Sequence, residues 1–362
     1  MKKQLLILVL AIFAFGFSST AFGQLAPQPV TCLTPDAFHP IAGQPYTYSI
    51  TVPDPSPGTA WTERHYQWFV TQSTQIIDAG GLAAVVSPDG GPLMNVTGGS
   101  AYNVAYNGAG TTASIEITWN AFAYDPTMPV FVGILVVGTN GSCTPNNMKI
   151  YRIEPLHAFT LDIANVQAGA IMPGYGDNDD NCIADIVSAN INATFDAVLY
   201  DFGQNVFYYA VAAANWSTAW QLSAQFANLQ AGQTVTLEWA TDMAFTTPNA
   251  IGVGAGPHIS PVLVTPQGGT TSVGAAGETI YIRATIVHGN TYEGLTDVQY
   301  TLSVNGALTD GTNPLVGNWD DIDFTSCLQV DFDDLALQTL KARPTITDQT
   351  PPAGDDYLPI QP

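Results

Sequence analysis

The densest run of hard oxygen donors in the chain is Asp177-Asn178-Asp179-Asp180-Asn181-Cys182-Ile183-Ala184-Asp185. Carboxylate and amide oxygens at alternate positions are the donor type that wraps a hard cation such as calcium. The competing reading is a solvated acidic linker. The thiols are Cys32, Cys143, Cys182 and Cys327. An even number of cysteines in an exported chain predicts disulfides, with three pairings open. Cys32–Cys143 with Cys182–Cys327 is preferred, because each bridge then closes one half of the chain. The second bridge would draw Asp320, Asp321 and Asp323 toward the 177–185 run, and so many acids repel unless a cation bridges them. No CxxC spacing points to a thiolate metal site. Trp216 and Trp220 bound Trp216-Ser217-Thr218-Ala219-Trp220, and Trp61 holds the matching place earlier in the chain. Exposed indole faces stack on pyranose rings, so these are candidate glycan-binding residues; matched tryptophans also fill matched cores. Catalytic patterns of the G-x-S-x-G, H-E-x-x-H or phosphate-loop type do not occur, and the five histidines are scattered. Glu116 and Glu238, the one pair of acids that suggests glycoside hydrolysis, fall on the outward phase of two similar segments. An enzyme is not expected.

The elements that position these residues begin after residue 23. Residues 1–23 carry Lys2 and Lys3, an apolar run and Ala21-Phe22-Gly23, the pattern of a secretory signal peptide. The mature chain lacks any other long uninterrupted apolar stretch, so no transmembrane segment is expected in it. The location expected is secreted, extracellular or cell-surface, with the periplasm equally open to an exported chain. Of 362 residues, 46% are hydrophobic and 10% charged, and the net charge is −22. That balance supports a packed core and excludes the basic footprint of a nucleic-acid binder. Asp outnumbers Glu 24 to 6, which suits turns better than helices.

Period-two alternation dominates. Tyr46, Tyr48, Ile50 and Val52 alternate with Thr47, Ser49 and Thr51. Tyr66, Trp68 and Val70 form one such row, and Ile115, Ile117 and Trp119 another. This predicts half-buried strands separated by Pro/Gly/Asp turns, with Trp68, Trp119 and Trp239 inward. Residues 332–341 offer a short helical turn. The second half repeats the first: 114–119 matches 234–239, 130–137 matches 280–287, 149–153 matches 298–302, 45–48 matches 206–209, and Trp61 matches Trp220. The fold class expected is all-β, with two tandem antiparallel β-sandwich domains after the signal peptide. They would span 24–155 and 156–341, the second with an insertion at 246–276, followed by an extended Pro-rich tail at 342–362.

This arrangement, with the aromatic strand Tyr66-Gln67-Trp68-Phe69-Val70 and the turn Tyr200-Asp201-Phe202-Gly203, resembles the immunoglobulin-like and polycystic-kidney-disease-like modules of secreted Bacteroidota proteins. Gln204-Asn205 departs from the glycine-rich end of that module's turn. The resemblance implies a spacer, adhesin or appendage subunit: an exported structural or adhesive surface protein that self-assembles as a filament or surface layer, or that binds other surface proteins. The alternative is a carbohydrate-binding module of a secreted glycan-degradation system. The 177–185 run resembles the calcium loops of thrombospondin type 3 and dockerin-like repeats. That likeness implies Asp177, Asp179, Asn181 and Asp185 as side-chain ligands and the Ile183 carbonyl as another. Cys182 stands where those loops have glycine, and Ser188 where they close with an acid.

Overall fold

The computed structural model describes residues 25–55, 58–78, 81–82, 94–96, 106–108, 110–119, 129–167, 170–171, 178–217, 219–270, 272–309, 320–346 and 360. The leader expected at 1–23 lies outside them. Every regular element among the described residues is a strand. In the first half these are β1 (Pro45–Thr51), β2 (Glu63–Thr71), β3 (Ile77–Asp78), β4 (Gly81–Leu82), β5 (Met94–Val96), β6 (Tyr106–Gly108), β7 (Thr112–Trp119), β8 (Val130–Thr139) and β9 (Asn146–Ile153). One sheet has the order β1-β7-β5, and the facing one β6-β2-β8-β9. Alternation sends Tyr66, Trp68 and Val70 from one sheet against Ile115, Ile117 and Trp119 from the other, and these residues share one buried cluster. The indole of Trp119 donates to the Tyr48 hydroxyl at 3.0 Å, and that hydroxyl donates to the Ala37 carbonyl.

The second half contains β10 (Thr160–Gln167), β11 (Ala170–Ile171), β12 (Asn178–Cys182), β13 (Ser188–Ile191), β14 (Val198–Asp201), β15 (Gln204–Ala214), β16 (Trp216–Ser217) and β17 (Ala219–Ala227). It continues with β18 (Thr234–Ala240), β19 (Asn249–Val253), β20 (His258–Ile259), β21 (Ser272–Val273), β22 (Glu278–Val287), β23 (Val298–Thr309) and β24 (Asp334–Lys341). A sheet ordered β11-β10-β15-β22-β18-β19 packs on one ordered β12-β24-β23-β17-β20. All pairings between them are antiparallel except β12 with β24. The helical turn expected at 332–341 is instead strand β24. Ala336, Gln338 and Leu340 alternate inward there, and β23 and β12 supply hydrogen bonds on both sides.

The two sandwiches share a topology, but not by the matches that alternation suggested. In the first, β7 lies between β1 and β5; in the second, β22 lies between β15 and β18. Likewise β8 lies between β2 and β9, as β23 lies between β17 and β24, and β6 beside β2 corresponds to β20 beside β17. The expected match of 45–48 with 206–209 agrees with this. The matches of 114–119, 130–137 and 149–153 are each one strand early: their counterparts lie in β22, β23 and β24. Alternation is common to all strands and cannot tell one from the next. The 246–276 insertion holds β19, β20 and β21; β19 extends one sheet and β20 the other, so it closes an edge of the sandwich.

The polypeptide from Leu25 to Gln44 joins the two halves. On the outer face of β10, β15 and β18, the small side chains of Ala164, Ala210, Ala212 and Ala240 leave a shallow bed that Leu25 and Phe245 fill. The segment then runs past Gln28 to Thr31, whose N–H donates to the Phe324 carbonyl at 2.9 Å, and Cys32 bonds to Cys327. This corrects the preferred pairing: neither bridge closes one half, and Cys143 and Cys182 are free and exposed. The start of the segment assigned to the first sandwich thus lies on the second. Further on, Gly43 (φ +74°) donates to the Trp119 carbonyl at 2.8 Å. A Cβ at Gly43 would stand 2.3 Å from the Val273 carbonyl oxygen, so only glycine fits this joint. Gln44 reaches Asn215 across the joint, and Leu156 donates to the Pro40 carbonyl.

Candidate functional site

Four of the five expected calcium ligands lie among the described residues. Asp177 lies outside the described residues. Asn178–Cys182 is an extended strand, so Asp179 and Asn181 project from one face of it in a row. The Asp179 carboxylate accepts from the Gln167 amide at 2.7 Å, and the Asn181 amide donates to Gln338 at 2.5 Å. Ile183 packs partly buried against the large core, and Asp185 is exposed. Parallel pairing with β24 is what straightens this segment. Local spacing carries no sign of a partner more than 150 residues away.

The carboxylates that do converge are Asp321, Asp333 and Asp334, whose oxygens lie within 4.8 Å of one another. Among the described His, Cys, Asp and Glu side chains this is the only such group. Two segments build it. Asp334 opens β24, Asp333 precedes it, and Asp321 sits in the return from β23. Asp321 is held there by two reciprocal contacts: its N–H donates to the Gly306 carbonyl at 3.0 Å, and its carboxylate accepts the Gly306 N–H at 2.7 Å. Asp162, on β10, lines the same cavity with Asp323, Asp333 and Asp334. Its carboxylate accepts the Gln28 backbone N–H at 2.7 Å and the Gln28 amide at 3.2 Å. The N-terminal segment therefore borders the acidic cavity through Gln28.

Burial decides the charge state. Asp321 is 2% exposed. Desolvation pushes the pKa values of Asp162, Asp321, Asp333 and Asp334 upward, to about 6 for Asp162. Asp334 is raised furthest, because burial acts together with the charge of Asp321 beside it. Asp321 and Asp334 thus share a proton at neutral pH, one carboxyl donating to the other. These oxygens could hold a hard cation only by giving up that proton. Asp323 behaves oppositely: Ser326 and Thr325 hydrogen-bond its carboxylate and hold it below the usual range, so it organises the turn that carries Cys327. Sequence reasoning named Asp320, Asp321 and Asp323 as a crowded group but missed Asp162, Asp333 and Asp334. Asp333-Asp334 adjacent to a strand was the available signal, masked by reading that stretch as helical.

The candidate glycan platform is core. Trp216 and Trp220 are both 0% exposed and meet edge to face, with ring centroids 6.4 Å apart. The Trp216 indole donates to the Ala213 carbonyl at 3.0 Å, and Trp220 also packs on Phe159. Trp61 is half-buried against Gly138. No sugar can stack on an indole without a free face, which corrects the carbohydrate reading of these residues. Glu238 pairs with Arg283 at 2.6 Å across β18 and β22. A buried polar chain links His288 to Gln233 at 2.9 Å and to Asn205 at 2.7 Å, while Gln233 also meets the Tyr300 hydroxyl. Burial lowers the pKa of His288 to about 4, so it is neutral here and serves packing.

No family model and no curated protein matches the chain. Solved structures with some likeness include CfaE, the adhesive subunit of the CFA/I fimbria of enterotoxigenic Escherichia coli (7% identity, 89% of this chain and 86% of that chain, TM-score 0.28). The CupB6 tip adhesin of Pseudomonas aeruginosa is another (9%, 87% and 95%, TM-score 0.28). The collagen adhesin of Staphylococcus aureus is a third (10%, 87% and 94%, TM-score 0.20). Likeness at these scores adds nothing to what the strand order already shows.

Proposed function

We propose that this chain is an exported structural or adhesive protein of the cell surface, a building block that self-associates. One observation carries the reading. The described N-terminal segment and the C-terminal residues Ala342–Arg343 are both fastened to the second sandwich, while the first sandwich is held through the joint at 38–44 and 154–156. The second sandwich is then a base and the first a displayed module. The polar groups of the joint, the strap and the buried chain serve cohesion, in keeping with a protein that resists pulling and proteolysis outside the cell. No helix among the described residues is long and apolar enough to cross a membrane.

Electron microscopy and analytical ultracentrifugation of the chain from residue 24 onward test this reading. Concentration-dependent ordered assemblies, or saturable binding to whole cells, are expected. A strict monomer that binds no cell surface at any concentration would overturn it. Calcium enters as an expectation of the sequence, and melting curves with and without chelator measure its contribution.

A further inference from the structure

We propose that the C-terminal tail of one copy pairs with the β14 edge of a second copy. The inference rests on the self-associating role above and names the surface that performs it. β13 and β14 form a two-stranded sheet that belongs to neither sandwich. An isolated hairpin of that size is marginal in water, and a free strand edge invites another strand. The hairpin as a whole is also apolar: Val187 before β13 is 68% exposed, Ile191 in β13 58% and Phe195 in the turn 78%, with Leu199 of β14 exposed as well. One side of β14 is taken by β13. Among the described residues the other side meets Ile360, through one parallel bridge to Val198.

The tail leaves its anchor close to that seat. The Arg343 N–H donates to the Gly294 carbonyl at 2.7 Å, its guanidinium donates to the Ala184 and Phe202 carbonyls at 2.6 and 2.9 Å, and its charge lies 5.0 Å over the Phe202 ring. Phe202 follows β14 directly, so the distance along the strand from Phe202 to Val198 is about 13 Å. The 16 residues from Pro344 to Pro359 can extend to about 50 Å. The connection is several times longer than its own seat requires, and the same seat on a neighbour is within reach. Exchange replaces one bridge by an identical one at no loss of contacts, and each copy both offers a tail and presents an edge.

Cross-linking between full-length copies tests this. Two populations are prepared in a Cys143→Ser, Cys182→Ser background, one with Val198→Cys and one with Ile360→Cys, then mixed and oxidised with diamide. Exchange predicts a covalent heterodimer as the main product. The double variant Val198→Cys, Ile360→Cys in one chain reports the seat itself. A cross-link confined within that chain, with none between populations, overturns the proposal; so does the absence of both cross-links. Ile360→Asp should abolish the heterodimer and lower the sedimenting fraction without moving the melting temperature. Ordered assemblies that persist in Ile360→Asp would leave the building-block reading standing and sink the tail exchange alone.

Discussion

At the scale of single residues, the acidic cavity makes stability depend on pH in a defined sense. The carboxyls of Asp162, Asp321, Asp333 and Asp334 have raised pKa values in the folded chain. The folded state therefore holds protons that the unfolded state has released, and their stabilisation is complete at low pH and lost as pH rises through the folded values. His288 acts in the other direction. Its lowered value makes stability fall as pH drops below its unfolded value toward about 4. Between about pH 4 and 6 the two slopes overlap, and there four carboxyls outweigh one imidazole, so the melting temperature should decline as pH rises above about 4. Asp334→Asn keeps a hydrogen-bonding group without the charge and should flatten the alkaline slope; calorimetry across pH checks both. The tryptophans give a second residue-scale prediction. Trp220→Ala should cost about 3–5 kcal/mol in denaturant unfolding, as expected for a large side chain removed from a closed core. Surface tryptophan would cost far less. Tyr209, 0% exposed, has a hydroxyl without a hydrogen-bond partner. Tyr209→Phe should therefore leave stability unchanged or raise it by up to about 1 kcal/mol.

At the scale of elements, the strap from Leu25 to Cys32 and the joint at Gly43 carry the connection between the halves. The Cys32–Cys327 bridge spans 295 residues of sequence. Loop-closure entropy alone would make such a bridge worth about 6 kcal/mol, an upper figure because unfolded chains are never fully random. Cys327→Ser should lower the denaturant midpoint and expose the 25–32 backbone to hydrogen exchange ahead of β15 or β22. Gly43→Ala should loosen the joint, because the added methyl meets the Val273 backbone and the left-handed φ strains any other residue. Hydrogen exchange at Gly43 and Leu156 would rise while the interior of each sandwich stays protected. If Gly43→Ala leaves exchange at the joint unchanged, the two sandwiches do not depend on that contact.

At the scale of the whole molecule, two buried clusters, one around Trp68 and Trp119 and one around Trp216 and Trp220, are separate cores. With the strap and bridge intact, calorimetry should show strongly overlapped unfolding; after reduction, the smaller first core should melt in its own earlier transition. A single transition that reduction does not split would mean that the joint alone couples the halves.

What the sequence determined by itself was local. Polar–apolar alternation at 45–52, 66–70 and 115–119 dictates strands, their inward faces and the burial of Trp68, Trp119 and Trp239, because a strand's side-chain period is fixed by its backbone. Alternation broken by turn residues was enough for an all-β, antiparallel fold. Tertiary structure alone decided the rest: that 332–341 is a strand with neighbours on both sides, that 178–182 is straightened by β24, that Cys32 finds Cys327, and that β7 answers to β22. Each of these depends on which segments lie side by side. That choice is made by the summed burial and hydrogen bonding of residues far apart in the chain, a quantity no short stretch of sequence contains.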